Sequence, residues 1–182
     1  MLEKYSIIQV MHFFLSSPSK VFSLRGLAKA SKVSKVSAAE TIDYMKSNGM
    51  ISVSVIGNTH QYKINLESPL TKQWKILFNL EELARVKLVE EIITKVPNVQ
   101  SITLYGSLAK GTNDENSDLD LLVIAEEKVA SKPALGKKLT QEPNIMFLTM
   151  KDWKAISQKD KVFYDNVILD SIMLFGRKPV VL

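Results

Sequence analysis

The sequence predicts a two-domain α+β protein. Three observations carry that expectation. Three short helical patterns run into a β-hairpin within the first seventy residues, a Pro-marked boundary and a long helical stretch follow, and from about Asn98 strand and helix patterns alternate. With 182 residues the chain has room for two cores. At 46% hydrophobic and 24% charged residues it has an ordinary globular composition, which excludes disordered, collagenous and coiled-coil classes. Zero cysteines exclude disulfide staples, thiolate zinc sites and cysteine nucleophiles. His12 and His60 are the only histidines and lie in unlike segments, which argues against a His-rich metal centre or a serine–histidine triad.

From Leu2 to Leu15 apolar residues recur at helical spacing (Leu2, Tyr5, Ile8, Met11, Phe14, Leu15), and Ser16-Ser17-Pro18 ends the helix. Gln9 and His12 interrupt the apolar run and Glu3 precedes it, so it reads as a buried amphipathic helix and not a signal peptide. With no transmembrane run either, a cytoplasmic protein without membrane contact is expected. Ser23 is the N-cap of a second short helix carrying Leu24, Leu27 and Ala28. A third spans about Ser34 to Ser47 with Ala39, Ile42 and Met45 inward. Ser37-x-x-Glu40 is a capping box that would move its start by one turn, and Asn48-Gly49 closes it. Ile51 to Ile56 and Thr59 to Ile64 flank Gly57-Asn58, the pattern of a tight hairpin.

Glu67-Ser68-Pro69 marks a boundary, and Leu70 to Val96 is helical in pattern up to Pro97, with a second helix start after Asn79, where Glu81-Glu82 suit a first turn. Strands are expected at Ser101 to Tyr105, Leu119 to Ile124 and Asn144 to Met150. A Lys-rich helix is expected near Lys132 to Leu139, and two helices run to Phe175. Trp74, Trp153 and the methionines read as packing. Charge is uneven: Lys+Arg 24 against Asp+Glu 19 gives +5, of which Met1 to Ser68 carries 8 basic against 4 acidic residues. A polyanion partner would dock on that first part.

Leu24 to Ser31 followed by Val33-Ser34, then Asn48-Gly49-Met50-Ile51 and Gly57 to Asn65, resembles the winged helix-turn-helix of bacterial and archaeal regulators. The resemblance implies DNA binding, with the helix from Ser34 in the major groove and the hairpin tip on the backbone or minor groove. The candidate contacts are Arg25, Lys32, Ser34, Lys35, Ser37, Ala38, Thr41, Asn58 and His60. Lysines would position on phosphates, and Ser, Thr and Ala38 would read bases. No arginine lies on that helix, and Glu40 and Asp43 oppose DNA on one flank. Such regulators are usually two-fold dimers, so a homodimer through Leu70 to Val96 is expected, although that apolar stripe equally fits a core.

The chemistry lies in Leu104-Tyr105-Gly106-Ser107-Leu108-Ala109-Lys110-Gly111-Thr112, followed by Ser117-Asp118-Leu119-Asp120. Gly106-Ser107 falls where a strand ends and a short helix begins, so free backbone N–H groups there suit a phosphate. Asp118 and Asp120 stand two apart at the head of a strand, which sends both carboxylates to one face. Two hard oxygen ligands beside a phosphate cradle favour Mg²⁺, or Mn²⁺, bound together with substrate phosphates. A Walker loop needs Gly-Lys-Ser/Thr, whereas Lys110-Gly111-Thr112 has the wrong order. Asp114-x-Asn116-x-Asp118 fails as an EF-hand, because Leu119 and Ala125 replace its glycine and its last glutamate.

This segment resembles the Gly-Ser…Asp-x-Asp signature of the DNA polymerase β-like nucleotidyltransferase superfamily, in particular the minimal nucleotidyltransferases, over about Asn98 to Gly176. Together the two resemblances imply a winged helix-turn-helix domain at 1–68, a helical connector at 69–97, and at 98–182 a nucleotidyltransferase-like mixed β-sheet with flanking helices. The second resemblance further implies that Gly106, Ser107, Lys110, Gly111, Thr112 and Ser117 hold an NTP, with ATP the first choice. Asp118 and Asp120 would bind two Mg²⁺ and act in catalysis, passing a nucleoside monophosphate to a hydroxyl. The family generally has a third carboxylate on a later strand, where this chain has Met146, which neither binds Mg²⁺ well nor takes a proton. Two alternatives follow: a nucleotide-sensing transcription regulator with an impaired transferase domain, or an antitoxin-like protein that modifies or caps a partner toxin.

Overall fold

The computed structural model describes residues 5–127, 129 and 139–181, so the Lys-rich helix expected near Lys132 to Leu139 lies, except for Leu139, outside the described residues. Contacts divide the chain into two compact units, Met1–Phe78 and Asn79–Leu182. No described helix is long and apolar enough to cross a membrane.

In the first unit, α1 (Ser6–Ser16) buries Ile8, Val10, Met11, Phe14 and Leu15. It is followed by β1 (Val21–Ser23), a strand the sequence did not reveal because three residues are too few to show a period. Its end, Ser23, caps α2 (Leu24–Ser31) by accepting from the Gly26 amide. α3 (Lys35–Ser47) starts at Ser34, whose Oγ accepts from the Ser37 amide at 3.0 Å, so Ser37-x-x-Glu40 does not set the start. β2 (Ile51–Ile56) and β3 (Thr59–Ile64) pair antiparallel around Gly57, whose φ of +58° at the first central position is the conformation a two-residue turn asks of glycine. β1 joins the far edge of β3, giving the order β1-β3-β2. The core is built on Met11, Phe14, Leu27, Ala38, Ile42, Met45, Met50, Ile51 and Ile64, with Trp74 and Phe78 packed against it. Lys75 is also buried, and its Nζ donates to the Leu15 carbonyl at 2.8 Å, placing a cation at the C-terminal end of α1, which has no basic residue of its own there.

α4 (Pro69–Arg85) runs unbroken through Asn79, which corrects the helix start expected there. Leu80 and Leu83 continue the apolar stripe, and no breaker intervenes. The break comes at Lys87, at φ +56°, and α5 (Leu88–Lys95) follows.

The second unit continues with β4 (Val99–Tyr105), α6 (Gly106–Lys110), β5 (Leu119–Ala125), β6 (Pro143–Thr149), α7 (Met150–Lys159), α8 (Lys161–Asp170) and β7 (Ile172–Gly176). The strand at the end corrects the expectation of helix up to Phe175. Asp170 ends α8, and Ile-Met-Leu-Phe-Gly joins β4 antiparallel. The sheet order is β6-β5-β4-β7, with β5 and β6 parallel and the remaining pairs antiparallel. Alternation along β5 sends Leu119, Leu121, Val123 and Ala125 into one cluster with Leu88 and Ile92 of α5, and Leu122 and Ile124 into another with Trp153 and Val167 of α7 and α8. The central strand is thus covered on both faces, which fixes its register and with it the position of Asp120.

Candidate active site

β4 ends at Tyr105 and the chain turns into α6 at Gly106, with φ +73°. A Cβ at Gly106 would overlap Oδ2 of Asp120, so this position requires glycine both for its backbone conformation and for the approach of the carboxylate. Tyr105 precedes α6 without giving a side-chain cap to its first turn. With five residues, α6 contributes its amides more than a macrodipole.

Asp120 stands level with Tyr105 of β4 on one side and with Asn144 of β6 on the other. The Asn144 amide Nδ2 donates to Asp120 Oδ1 at 2.8 Å. Burial pushes the Tyr105 phenol above its ordinary range, and the negative charge of Asp120 adds to that. The Tyr105 ring meets Phe163 edge-on at 5.7 Å. Asp118 is exposed, one residue before β5.

The loop between α6 and β5 is tied down internally. Asn116 N and Ser117 Oγ donate to Asp114 Oδ1 at 2.9 and 3.0 Å, and Asp114 N donates to Ser117 Oγ at 2.9 Å. Thr112 N donates to the Ser107 carbonyl at 3.0 Å. From α4, Asn79 Nδ2 donates to the Leu108 carbonyl at 2.9 Å and to Oδ1 of the buried Asn113 at 3.0 Å, which ties the middle of α6 and the loop after it to that helix. The Lys110 ammonium pairs with Asp170 at the end of α8 at 2.8 Å.

Of the residues expected to hold a nucleotide and metal, Gly106 and Asp120 are therefore in contact, and Ser107 is in the adjoining turn. Lys110 is engaged by Asp170, and the hydroxyl of Ser117 by Asp114. Met146 shares the face of Asp120 but lies two residues further along, opposite Leu122, packed against the cluster of Leu122, Ile124 and Trp153; the residue beside Asp120 is Asn144. Asn79, Tyr105, Asn113, Asn144 and Asp170 were missed. Only Asn144 could have been found, by taking the parallel register of β5 and β6 from their apolar patterns. Among the described residues no group of three or more His, Cys, Asp and Glu could hold a metal. Asp118 and Asp120, carboxylates two residues apart, are donors of the kind Mg²⁺ takes, one or two carboxylates with the shell completed by substrate phosphates and water.

In the first unit, Arg25, Lys32, Ser34, Lys35, Asn58 and His60 are exposed and Ser37 is half-buried. Ala38 and Thr41, expected on the polar face, are buried, which removes both as base contacts. With Ser34 as cap, the inward stripe of α3 consists of Ala38, Thr41, Ile42 and Met45, and Thr41 Oγ1 bonds the Ser37 carbonyl at 2.8 Å. Ala39, expected in that stripe, is half-buried, and the exposed face carries Lys35, Val36, Glu40, Asp43 and Tyr44.

Residues 87–180 match the family described as polymerase beta, nucleotidyltransferase. No curated protein matches the chain. Among solved structures, Sso10a-2, a DNA-binding protein from Sulfolobus solfataricus, is 16% identical at a TM-score of 0.32, covering 47% of this chain and 94% of its own. TrmBL2, an archaeal chromatin protein, is 16% identical at a TM-score of 0.28, covering 90% of this chain and 70% of its own. Likenesses this distant carry no argument about fold or function.

Proposed function

Because the chain belongs to the polymerase beta nucleotidyltransferase family, we propose that its second unit transfers a nucleoside monophosphate from an NTP, ATP first, to a hydroxyl acceptor. We propose in addition that the first unit is a winged helix-turn-helix that docks DNA. The observation that carries the first reading is the approach of Gly106 to Asp120, which sets the start of α6, uncapped by Tyr105, beside a carboxylate near the end of a central strand.

In this mechanism the α6 amides, Ser107 and the Thr112 hydroxyl hold the β- and γ-phosphates, Gly111 shapes the turn with its N–H on the Ser107 carbonyl, and Lys110 joins the phosphates on leaving Asp170. Ser117 braces the loop through Asp114. Asp118 and Asp120 would hold Mg²⁺ or Mn²⁺, which when bound neutralises phosphate charge and favours in-line displacement. The acceptor oxygen bonds to the α-phosphorus, the bond to the β-phosphate oxygen breaks, pyrophosphate leaves with the electron pair and the hydroxyl proton passes to solvent. Protonated Tyr105 adds no charge beside Asp120.

The first unit supports DNA docking through its order of helices and hairpin and through exposed Arg25, Lys32 and Lys35. One observation favours a second reading, nucleotide sensing without turnover: neither Asn144 beside Asp120 nor Met146 in the apolar cluster takes a proton. A missing general base costs roughly 10²–10⁴-fold in rate and leaves binding intact. Label transfer from ATP carrying a radioactive α-phosphate tests the leading reading: wild type is expected to label an acceptor and Asp118→Asn or Asp120→Asn to abolish it. Undiminished transfer by either variant contradicts the scheme.

A further inference from the structure

We propose that Asn144 is a positioning residue that presets the Asp120 carboxylate and limits the nucleotide-free site to a single divalent cation. The proposal rests on the transferase reading above.

Asn144 sits level with Asp120 in the parallel β5–β6 pair, and its Nδ2 donates to Asp120 Oδ1 at 2.8 Å. An ionised carboxylate only accepts hydrogen bonds, so the amide must present its NH₂ end. The other oxygen, Oδ2, lies against Gly106. Both oxygens of Asp120 are thereby located from opposite neighbouring segments, β6 and the β4–α6 turn, and rotation of the carboxylate is opposed from two sides. Asn144 is itself exposed, so this bond adds little to stability; its effect falls on the orientation of Asp120.

The amide also sets the charge. Asp118 and Asp120 supply two negative charges, which balance one divalent cation, and among the described residues no third His, Cys, Asp or Glu completes a metal-holding group with them. A carboxylate at position 144 would add a third charge beside Asp120; an amide adds none. A second cation therefore has to arrive with the phosphates of the nucleotide, which departs from the two protein-held ions expected from the sequence.

Mn²⁺ titration of the full chain without nucleotide, followed by electron paramagnetic resonance, tests this. Wild type is expected to take up one Mn²⁺, and Asn144→Ala to bind it about tenfold more weakly while melting, metal-free, at the wild-type temperature. Asn144→Asp is expected to raise uptake from one Mn²⁺ to two. An affinity unchanged in Asn144→Ala, or one ion still bound by Asn144→Asp, or two ions on wild type, overturns the role of Asn144 with the Asp pair left standing. If the Asp118→Asn, Asp120→Asn double variant titrates like wild type, the Asp site is wrong, and this proposal falls with it.

Discussion

The Asp120 carboxylate fills the space that a side chain at Gly106 would need. Gly106→Ala thus carries two penalties, a left-handed backbone costing about 1–2 kcal/mol for a residue with a Cβ and displacement of the carboxylate. Gly57 shares the positive φ, but open space surrounds its missing Cβ. Both alanine variants are expected to lower the melting temperature by a few degrees, and only Gly106→Ala to lose Mg²⁺-dependent ATP binding. Calorimetry on both separates strain from site geometry.

Lys110 and Asp170 are each roughly half exposed, with side-chain exposures of 42% and 47%, so their pairing contributes at most about 1 kcal/mol in water. Asp170→Asn is expected to leave the melting temperature nearly unchanged and to tighten ATP binding about two- to fivefold by releasing the ammonium. Lys110→Ala is expected to weaken binding about tenfold. Both differences shrink at high salt, which titrations at two ionic strengths check.

Tyr105 gives a pH dependence with a definite sign. Its folded-state value lies above the ordinary 10.0, so the neutral phenol favours the fold. That contribution is complete below pH 10 and is lost as the pH rises through the elevated folded value. Denaturant unfolding is therefore expected to show wild type losing stability more steeply than Tyr105→Phe above pH 10, with the two parallel below it. Parallel curves throughout contradict the burial of the phenol, the larger cause of its elevation, together with the added charge of Asp120.

For the first unit, Lys35→Ala is expected to weaken duplex DNA binding alike across sequences and to reduce the salt slope by about one, as loss of a phosphate contact does. Ala38→Leu acts differently. The site is fully buried, so overpacking is expected to cost about 1–3 kcal/mol of stability. Fluorescence anisotropy at several salt concentrations and thermal melts distinguish the two.

Much of this organisation is legible in the sequence because it is local. Ser23 and Ser34 bond amides three residues on, and Gly57 needs only its own turn, so caps and hairpin fall where the pattern puts them. Gly106 and Asp120 are readable as a motif because strand ends carry them. What escaped depends on tertiary neighbours. β1 and β7 are strands only because β3 and β4 offer an edge. Ala38 and Thr41 face inward because the buried stripe of α3 runs Ala38, Thr41, Ile42 and Met45, and helical spacing from Ile42 and Met45 admits Ala38 as readily as Ala39. Asn79 and Asn113 meet across 34 positions, Asn144 reaches Asp120 across 24, and no spacing rule links such pairs.

The most direct test of the central claim is calorimetry of ATP with and without Mg²⁺, on wild type and on the Asp118→Asn, Asp120→Asn double variant. The expected result is Mg²⁺-dependent binding to wild type and none to the double variant. Equal binding by both, or no binding to wild type, contradicts the assignment of the Gly106–Asp120 site to a metal-bound nucleotide.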